Sequence, residues 1–369
     1  MTPKSARGHQ PVPVVYDPDR RLGWFKDMVS RVAPHLFGVV PPDFPTDTAL
    51  PTFTPPSKSR FGQGVAHYGI MIPDLPAPHH FMANMTMVGY TGFRAWDVDF
   101  ARQGRARDTA TVGHGTAATT HDPFTAHGSH DSAFAPDGSS LRFGPDYTIS
   151  GTYPDFRLRS MRPGFETDLE FTATGDVTWF TKRPYYTHVG LLSRYRGTIT
   201  HGGEPTVVTG LCSVEYGKGH TPTMILNRPV PTKLKAPFDF FTYHVLNLDA
   251  DSQLLLVGTG MGDTPLVMLA FERTVGGGSW RLGTSVRFEV IEFQNEPFVG
   301  PDGESMAMPA SFRWTIRDGN QTLTTLDGTV DTQWLYAGVN IVAGYTYTAR
   351  HKGRQIGGRG YVEYSDRRP

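Results

Sequence analysis

The sequence predicts an all-β protein built from two antiparallel barrel or sandwich units in tandem. Three observations predict it. Apolar and polar residues alternate with period two in short runs that recur roughly every 10 residues. Gly (41) and Pro (30) are frequent enough to punctuate the chain with many turns. Asp-Gly pairs at Asp302-Gly303, Asp318-Gly319 and Asp327-Gly328 read as hairpin turns. A chain of 369 residues has room for about two domains at roughly 150 residues each.

The elements follow in order. Residues 1–60 form an N-terminal arm. Within it, Leu22, Phe25, Met28, Val29 and Val32 fall at helical spacing and predict one short amphipathic helix over 22–33. A Pro cluster over 40–60 predicts an extended wrap. The first β-domain spans 61–232. Its strands are marked by the alternation of Tyr147–Tyr153, Phe156–Met161, Asp168–Ala173, Arg196–Thr200 and Thr206–Leu211. The prolines 222, 229, 231 and 237 break this rhythm and mark the boundary. The second β-domain spans 233–369, with alternation in Gln253–Val257, Leu266–Phe271, Val286–Ile291, Phe312–Ile316, Gly328–Thr332 and Tyr345–Ala349.

Composition narrows the function. Lys plus Arg (35) equals Asp plus Glu (35), so the chain lacks the basic surplus that a general nucleic-acid affinity requires. A single cysteine, Cys212, rules out an internal disulfide framework and a Cys-based zinc site. No apolar run approaches the roughly 18 residues of a spanning helix, and the N-terminus carries no apolar signal core. The expectation is a soluble, cytoplasmic protein without a transmembrane segment.

Five segments carry residues of chemical interest. His114, His121, His127 and His130, with Asp122 and Asp131, are chemically competent metal ligands, but their spacing fits no compact motif, so no metal is expected. His79 and His80 enter a strand that continues through Asn84; His is the natural acid/base group near neutral pH. Glu215 and Tyr216 end a strand at the domain junction, on opposite faces by alternation. A carboxylate in an apolar cleft gains a proton more readily and can serve as an acid. On the next strand Asp239, Phe241, Tyr243 and Val245 share one face, and Phe240, Thr242 and His244 the other. The run Gly357-Gly-Arg-Gly-Tyr-Val-Glu363 lacks the following helix of a phosphate loop, and reads instead as a closing strand prone to a bulge, with Glu363 inside the barrel or at the junction. Each segment also has a bland reading as core packing, strand entry or an interdomain ion pair.

Three of these segments resemble, in order, the two-domain lipocalin-like family that holds carotenoid 1,2-hydratase, AttH-type proteins, kievitone hydratase-like enzymes and some fungal Diels–Alderases. The family's Asp-His-Glu-Trp-Gly reads here Ser213-Val-Glu-Tyr-Gly217, its Trp-Asp-Trp-Phe reads Phe238-Asp-Phe-Phe241, and its Gly-x-Gly-Tyr-x-Glu reads Gly358-Arg-Gly-Tyr-Val-Glu363. His79-His-Phe-Met82 falls where the family opens with Glu-Trp-Trp-Tyr. The resemblance covers about 61–369 and implies two lipocalin-like barrels. It implies an acid/base role for the position before Glu215, but this chain has Val214 there, so that residue set is not inherited.

The expected function is cofactor-free acid/base chemistry on an apolar isoprenoid, steroid or polyketide-like molecule: hydration, its reverse, isomerisation or cyclisation. Glu215, Asp239, His244 and His80 are the candidate acids and bases. Tyr216, Phe241, Tyr243, Asn84 and His79 are the candidate substrate contacts. Two alternatives stay open. One is a non-catalytic carrier of a small hydrophobic ligand; the other is a pericyclase-like cavity that works by shape.

Overall fold

The computed structural model describes residues 14–17, 52–57, 62–120, 122–221, 228, 230–231, 234–235 and 238–368. The helix expected over 22–33, most of the Pro-rich stretch over 40–60, most of the junction at 222–237 and His121 lie outside the described residues. Two antiparallel sheets account for most of the rest, one curled into a nearly closed barrel and one into a half-barrel.

The first sheet runs Phe124–His127, Ala110–Thr116, Met82–Gly89, Val65–Ile72, Glu204–Gly219, Tyr186–His201, Phe165–Arg183, Asp155–Arg162, Tyr147–Thr152, Ser140–Phe143 and Ser132–Phe134. The second runs Val15–Tyr16, Ser285–Phe293, Pro309–Asp318, Gln321–Val330, Ile341–His351, Arg354–Asp366, Phe240–Asn247, Ser252–Met261, Thr264–Thr274 and Gly278–Arg281. In each sheet, apart from the added N-terminal strand, the two edges are close neighbours in sequence. Each sheet therefore curls about its own core, as right-handed strand twist favours.

Alternation assigns the faces. In Glu204–Gly219 the even residues Val208, Cys212, Val214 and Tyr216 enter the first core. In Phe240–Asn247, Phe240 and Leu246 enter the second core, beside Trp314, Phe288 and Phe312. The opposite faces meet. Met71, Phe81, Ala83 and Phe180 from the first sheet pack with Tyr243, Val245, Leu255, Phe271 and Tyr361 from the second. Burying an apolar side chain of this size contributes about 1.5–3 kcal/mol, so this layer holds the two sheets together.

Among the described residues the helical elements are two single turns, Asp99–Ala101 and Ala106–Asp108. No helix among the described residues is long and apolar enough to cross a membrane. Two local expectations are corrected. Asp327-Gly328 is not a turn but the interior of strand Gln321–Val330. Gly328 is required there because a side chain would meet the Phe312 ring at 2.4 Å, while Asp327 pairs with Arg313 at 2.6 Å. The glycine run 357–360 carries no bulge: its ladder to Ile341–His351 continues without a shift, and Gly360 lies under the ring of Tyr345.

Candidate functional site

The outer face of the first sheet carries an ordered pattern of small and titratable residues. Glu215 is paired in register with Gly69 on one side and Gly190 on the other. In the next row the pattern inverts. Gly217 is flanked by His67 and His188. The missing side chain at Gly217 lets the two imidazoles meet across the strand, with Nε2 atoms 3.4 Å apart. A Cβ at Gly217 would fall 2.1 Å from the His67 ring. Gly217→Ala is therefore expected to lower stability by about 1–3 kcal/mol through overpacking, measured by denaturant unfolding.

Glu215 is buried and accepts at both oxygens. Ser213 Oγ donates to Oε1 at 2.9 Å, and the Tyr243 hydroxyl, reaching across from the second sheet, donates to the same oxygen. His188 Nε2 lies 3.2 Å from Oε2. His188 lies tilted against Phe180 with ring centroids 4.5 Å apart and keeps 21% of its side chain exposed, which makes it the solvent-facing end of the group. Burial and the neighbouring His188 hold His67 well below the usual imidazole range, so the His pair does not carry two protons.

The second sheet adds a second carboxyl. Glu363 pairs in register with Tyr243, and Tyr361 lies two residues before it on the same face. Tyr361 OH is 3.0 Å from Glu363 Oε1, and Asn340 Nδ2 is 2.5 Å from Oε2. Burial, together with the negative charge of Glu215, pushes the Glu363 carboxyl up to about 8. At neutral pH it therefore keeps its proton. The Asn340 carbonyl oxygen has no partner in this assignment. With the amide turned over, the proton of Glu363 reaches that oxygen, and 2.5 Å suits an O–H···O bond better than N–H···O.

A buried guanidinium completes the group. Arg273 is fully buried and directs Nε and Nη2 at Gln253 Oε1. Its Nη1 has no hydrogen-bond partner. Nη1 and Glu215 Oε1 each lie 3.4 Å from the position a Cβ would take at Gly190, with Phe180 Cε2 at 3.1 Å. An acid, a cation and an aromatic edge thus converge over one glycine. The charge of Arg273 faces Glu215 and Tyr243.

The other residues singled out from sequence lie elsewhere. His244 is on the inner face, fully buried among Phe288, Phe312, Trp314 and Tyr345, with Nε2 2.9 Å from Thr242 Oγ1. Its Nδ1 has no partner, and burial lowers its affinity for protons. His244→Leu is expected to leave any chemistry at Glu215 unchanged and to reduce the loss of stability below pH 6.5, where the unfolded imidazole gains a proton that the folded one refuses. Thermal unfolding between pH 5 and 7.5 checks this. Asp239 accepts from the Gly262 amide at 2.8 Å and faces Asp366 and Arg368, at the end of the sheet; burial raises its proton affinity. Phe241 packs on Trp96 at 5.2 Å, in the layer between the sheets. Asn84 lies in the first core, accepting from the Tyr147 hydroxyl. His79 Nδ1 is 3.0 Å from Thr116 Oγ1, and His80 occupies a left-handed turn (φ 58°). Tyr216 points into the first core and donates to Thr54 O at 2.8 Å.

The sequence therefore singled out Glu215 at the junction, Tyr243 on a shared strand face and Glu363 in the barrel or at the junction, but missed His67, His188, Arg273 and Tyr361. Their signal lay in register, not in order: His188 and His67 become neighbours only when Gly217 is seen as the strand between them. The histidines 114, 127 and 130 are scattered. His114 lies in the first core beside Thr167, His127 on Thr125, and His130 at the surface beside Asp131. Among the described residues no group of three or more His, Cys, Asp or Glu is placed to hold a metal ion.

Comparison with solved structures supports the fold. An AttH-like protein from Nitrosomonas europaea is similar at a TM-score of 0.59 and 16% identity, over 90% of this chain and 99% of that one. Kievitone hydratase from Nectria haematococca is similar at 0.52 and 10%, over 90% and 94%. CghA, solved with Sch210972, follows at 0.49 and 9%, over 89% and 97%. For the first two, at these identities, the likeness is one of architecture: two lipocalin-like β-units in tandem, as the resemblance of the sequence motifs implied. No functionally curated protein matches the sequence. A family model described as of unknown function, DUF6670, matches residues 85–369, and the chain belongs to that family.

Proposed function

We propose that this protein is a cofactor-independent acid/base enzyme, a hydratase, lyase or isomerase, acting on an apolar unsaturated molecule at the layer between the two sheets. The observation that carries the reading is a pair of buried carboxyls in unlike surroundings. Glu215 accepts from Ser213 and Tyr243 and meets His188, whereas Glu363 holds its proton to about pH 8. Environments that separate two carboxyls in this way define an acid and a base in one site. One of the similar folds bears the name of a hydratase.

The roles follow from position. Glu363 is the proton reservoir; it bonds Tyr361 and Asn340, and its strand neighbour Tyr243 bonds Glu215. Glu215 with His188 exchanges a proton with the substrate or with water. Arg273 Nη1, a donor without a partner beside Glu215, takes an oxygen of the substrate, a carbonyl or hydroxyl. Phe180, Phe271 and Tyr361 offer π faces to a developing cation. General acid/base catalysis of this kind contributes about 10²–10⁴-fold.

The test uses the purified full chain in D₂O with three probes: an acyclic polyene isoprenoid, an unsaturated steroid and an unsaturated fatty acid. Mass spectrometry reads deuterium or water addition. Incorporation by the native protein that is lost in Glu215→Gln is the expected result. Incorporation that is equal in the variant would remove Glu215 from the chemistry, and none with any probe, alongside no bound small molecule in native mass spectra from the host extract, would refute the enzyme reading.

A further inference from the structure

The inner face of the first sheet holds a second feature, separate from the carboxyl pair. Near the ends of Val65–Ile72 and Glu204–Gly219, Tyr68, Tyr216 and Lys218 point into the core, one residue out of phase with Glu215 and Gly217. The chain's own residues 52–57 lie across them. Phe53 stacks on Tyr216 at 4.7 Å and on Phe156 at 5.1 Å, both rings nearly parallel to it. Thr54 presents two oxygens: its carbonyl accepts from Tyr216 OH at 2.8 Å, and its Oγ1 accepts from Lys218 Nζ at 2.8 Å.

The chemistry of this contact is unbalanced. Lys218 is half-buried, and burial lowers its affinity for the proton. Among the described residues no carboxylate lies within ion-pair distance of Nζ; its hydrogen bond goes to a neutral hydroxyl. Tyr68, buried beside Tyr216 with ring centroids at 5.5 Å, has a hydroxyl with no hydrogen-bond partner. A partly buried cation with only a neutral partner leaves electrostatic stabilisation unrealised, which a carboxylate in the same place would supply.

We propose that this end of the first core is a ligand site for a small aromatic carboxylate, and that Phe53 and Thr54 occupy it as a displaceable plug. The ring of the ligand takes the place of Phe53 between Tyr216 and Phe156. Its carboxylate replaces the two Thr54 oxygens, one oxygen on Lys218 Nζ and the other on Tyr216 OH, with Tyr68 OH as a further donor. The site lies on the face of the strand opposite Glu215, so it stands whether or not Glu215 is catalytic.

Calorimetric titration of the full chain with 3-phenylpropanoate and with its uncharged amide tests the proposal. Native protein is expected to bind the carboxylate weakly, because the plug competes. Phe53→Ala is expected to bind it about tenfold tighter or more, and the carboxylate is expected to exceed the amide by about tenfold to a hundredfold. Lys218→Met in the Phe53→Ala background removes that preference. If Phe53→Ala does not fold, Phe53→Leu, which keeps an apolar plug without the ring stack, is expected to give a smaller gain in the same direction. No binding by native protein and by the folded plug variant, equal affinity in the two, or an amide that binds as tightly as the carboxylate would each overturn the proposal.

Discussion

Glu215→Gln is expected to slow turnover by about 10²–10⁴-fold while leaving the protein folded. Glutamine keeps a carbonyl oxygen for the donors Ser213 and Tyr243, so the layer between the sheets retains its contacts. It cannot take or release a proton at neutral pH. Glu215→Ala is a different experiment. It leaves the Tyr243 and Ser213 hydroxyls without their acceptor and leaves Arg273 facing no carboxylate at that position, in a region where both residues are buried. Breaking a buried charged group in this way costs about 3–5 kcal/mol. Comparing the two by turnover and by urea unfolding separates chemistry from cohesion: a Gln variant as active as native protein would make Glu215 a tie between sheets and nothing more.

Glu363→Gln is expected to flatten the pH dependence of stability between pH 4.5 and 8. Below 4.5, its ordinary value, the carboxyl is protonated in both folded and unfolded chains. Above it, the unfolded chain releases the proton while the folded protein holds it until about pH 8. The folded state then binds more protons, so stability falls as pH rises across that window and levels off above it. At about 1.4 kcal/mol per pH unit, the full effect is at most about 5 kcal/mol. The variant is neutral throughout, so it matches native protein near pH 4.5 and exceeds it at pH 8. Urea unfolding at both values measures this. A native protein whose stability does not fall over that range relative to the variant would show that Glu363 is ionised in the fold. The groups that face it are Glu215, Tyr361, Tyr243 and Asn340.

Both expectations rest on residues that were legible in part. Alternation alone put Tyr243 and Val245 on one face and His244 on the other, and the sheet obeys it. Alternation alone also set Glu215 and Tyr216 on opposite faces. What period two cannot supply is the identity of the face. His244, a natural acid/base residue by type, enters a core of four aromatic rings because Phe240 and Leu246 on its side carry the larger apolar burial. Asp239, on the same nominal face as Tyr243, lies just outside the strand and turns to the Gly262 amide instead.

The sequence by itself determined the all-β class, the strand periods, the order of the motifs and the face shared by Phe241, Tyr243 and Val245, because those are properties of neighbours along one chain. The tertiary structure decided which residues act together. His67, His188 and Glu215 are brought side by side by register across three strands, with Gly217 as the gap that admits the rings. Glu363 joins them only because the two sheets pack back to back, and only there does burial beside a second carboxyl hold its proton. Burial and charge are set by groups distant in sequence, and no local pattern encodes them.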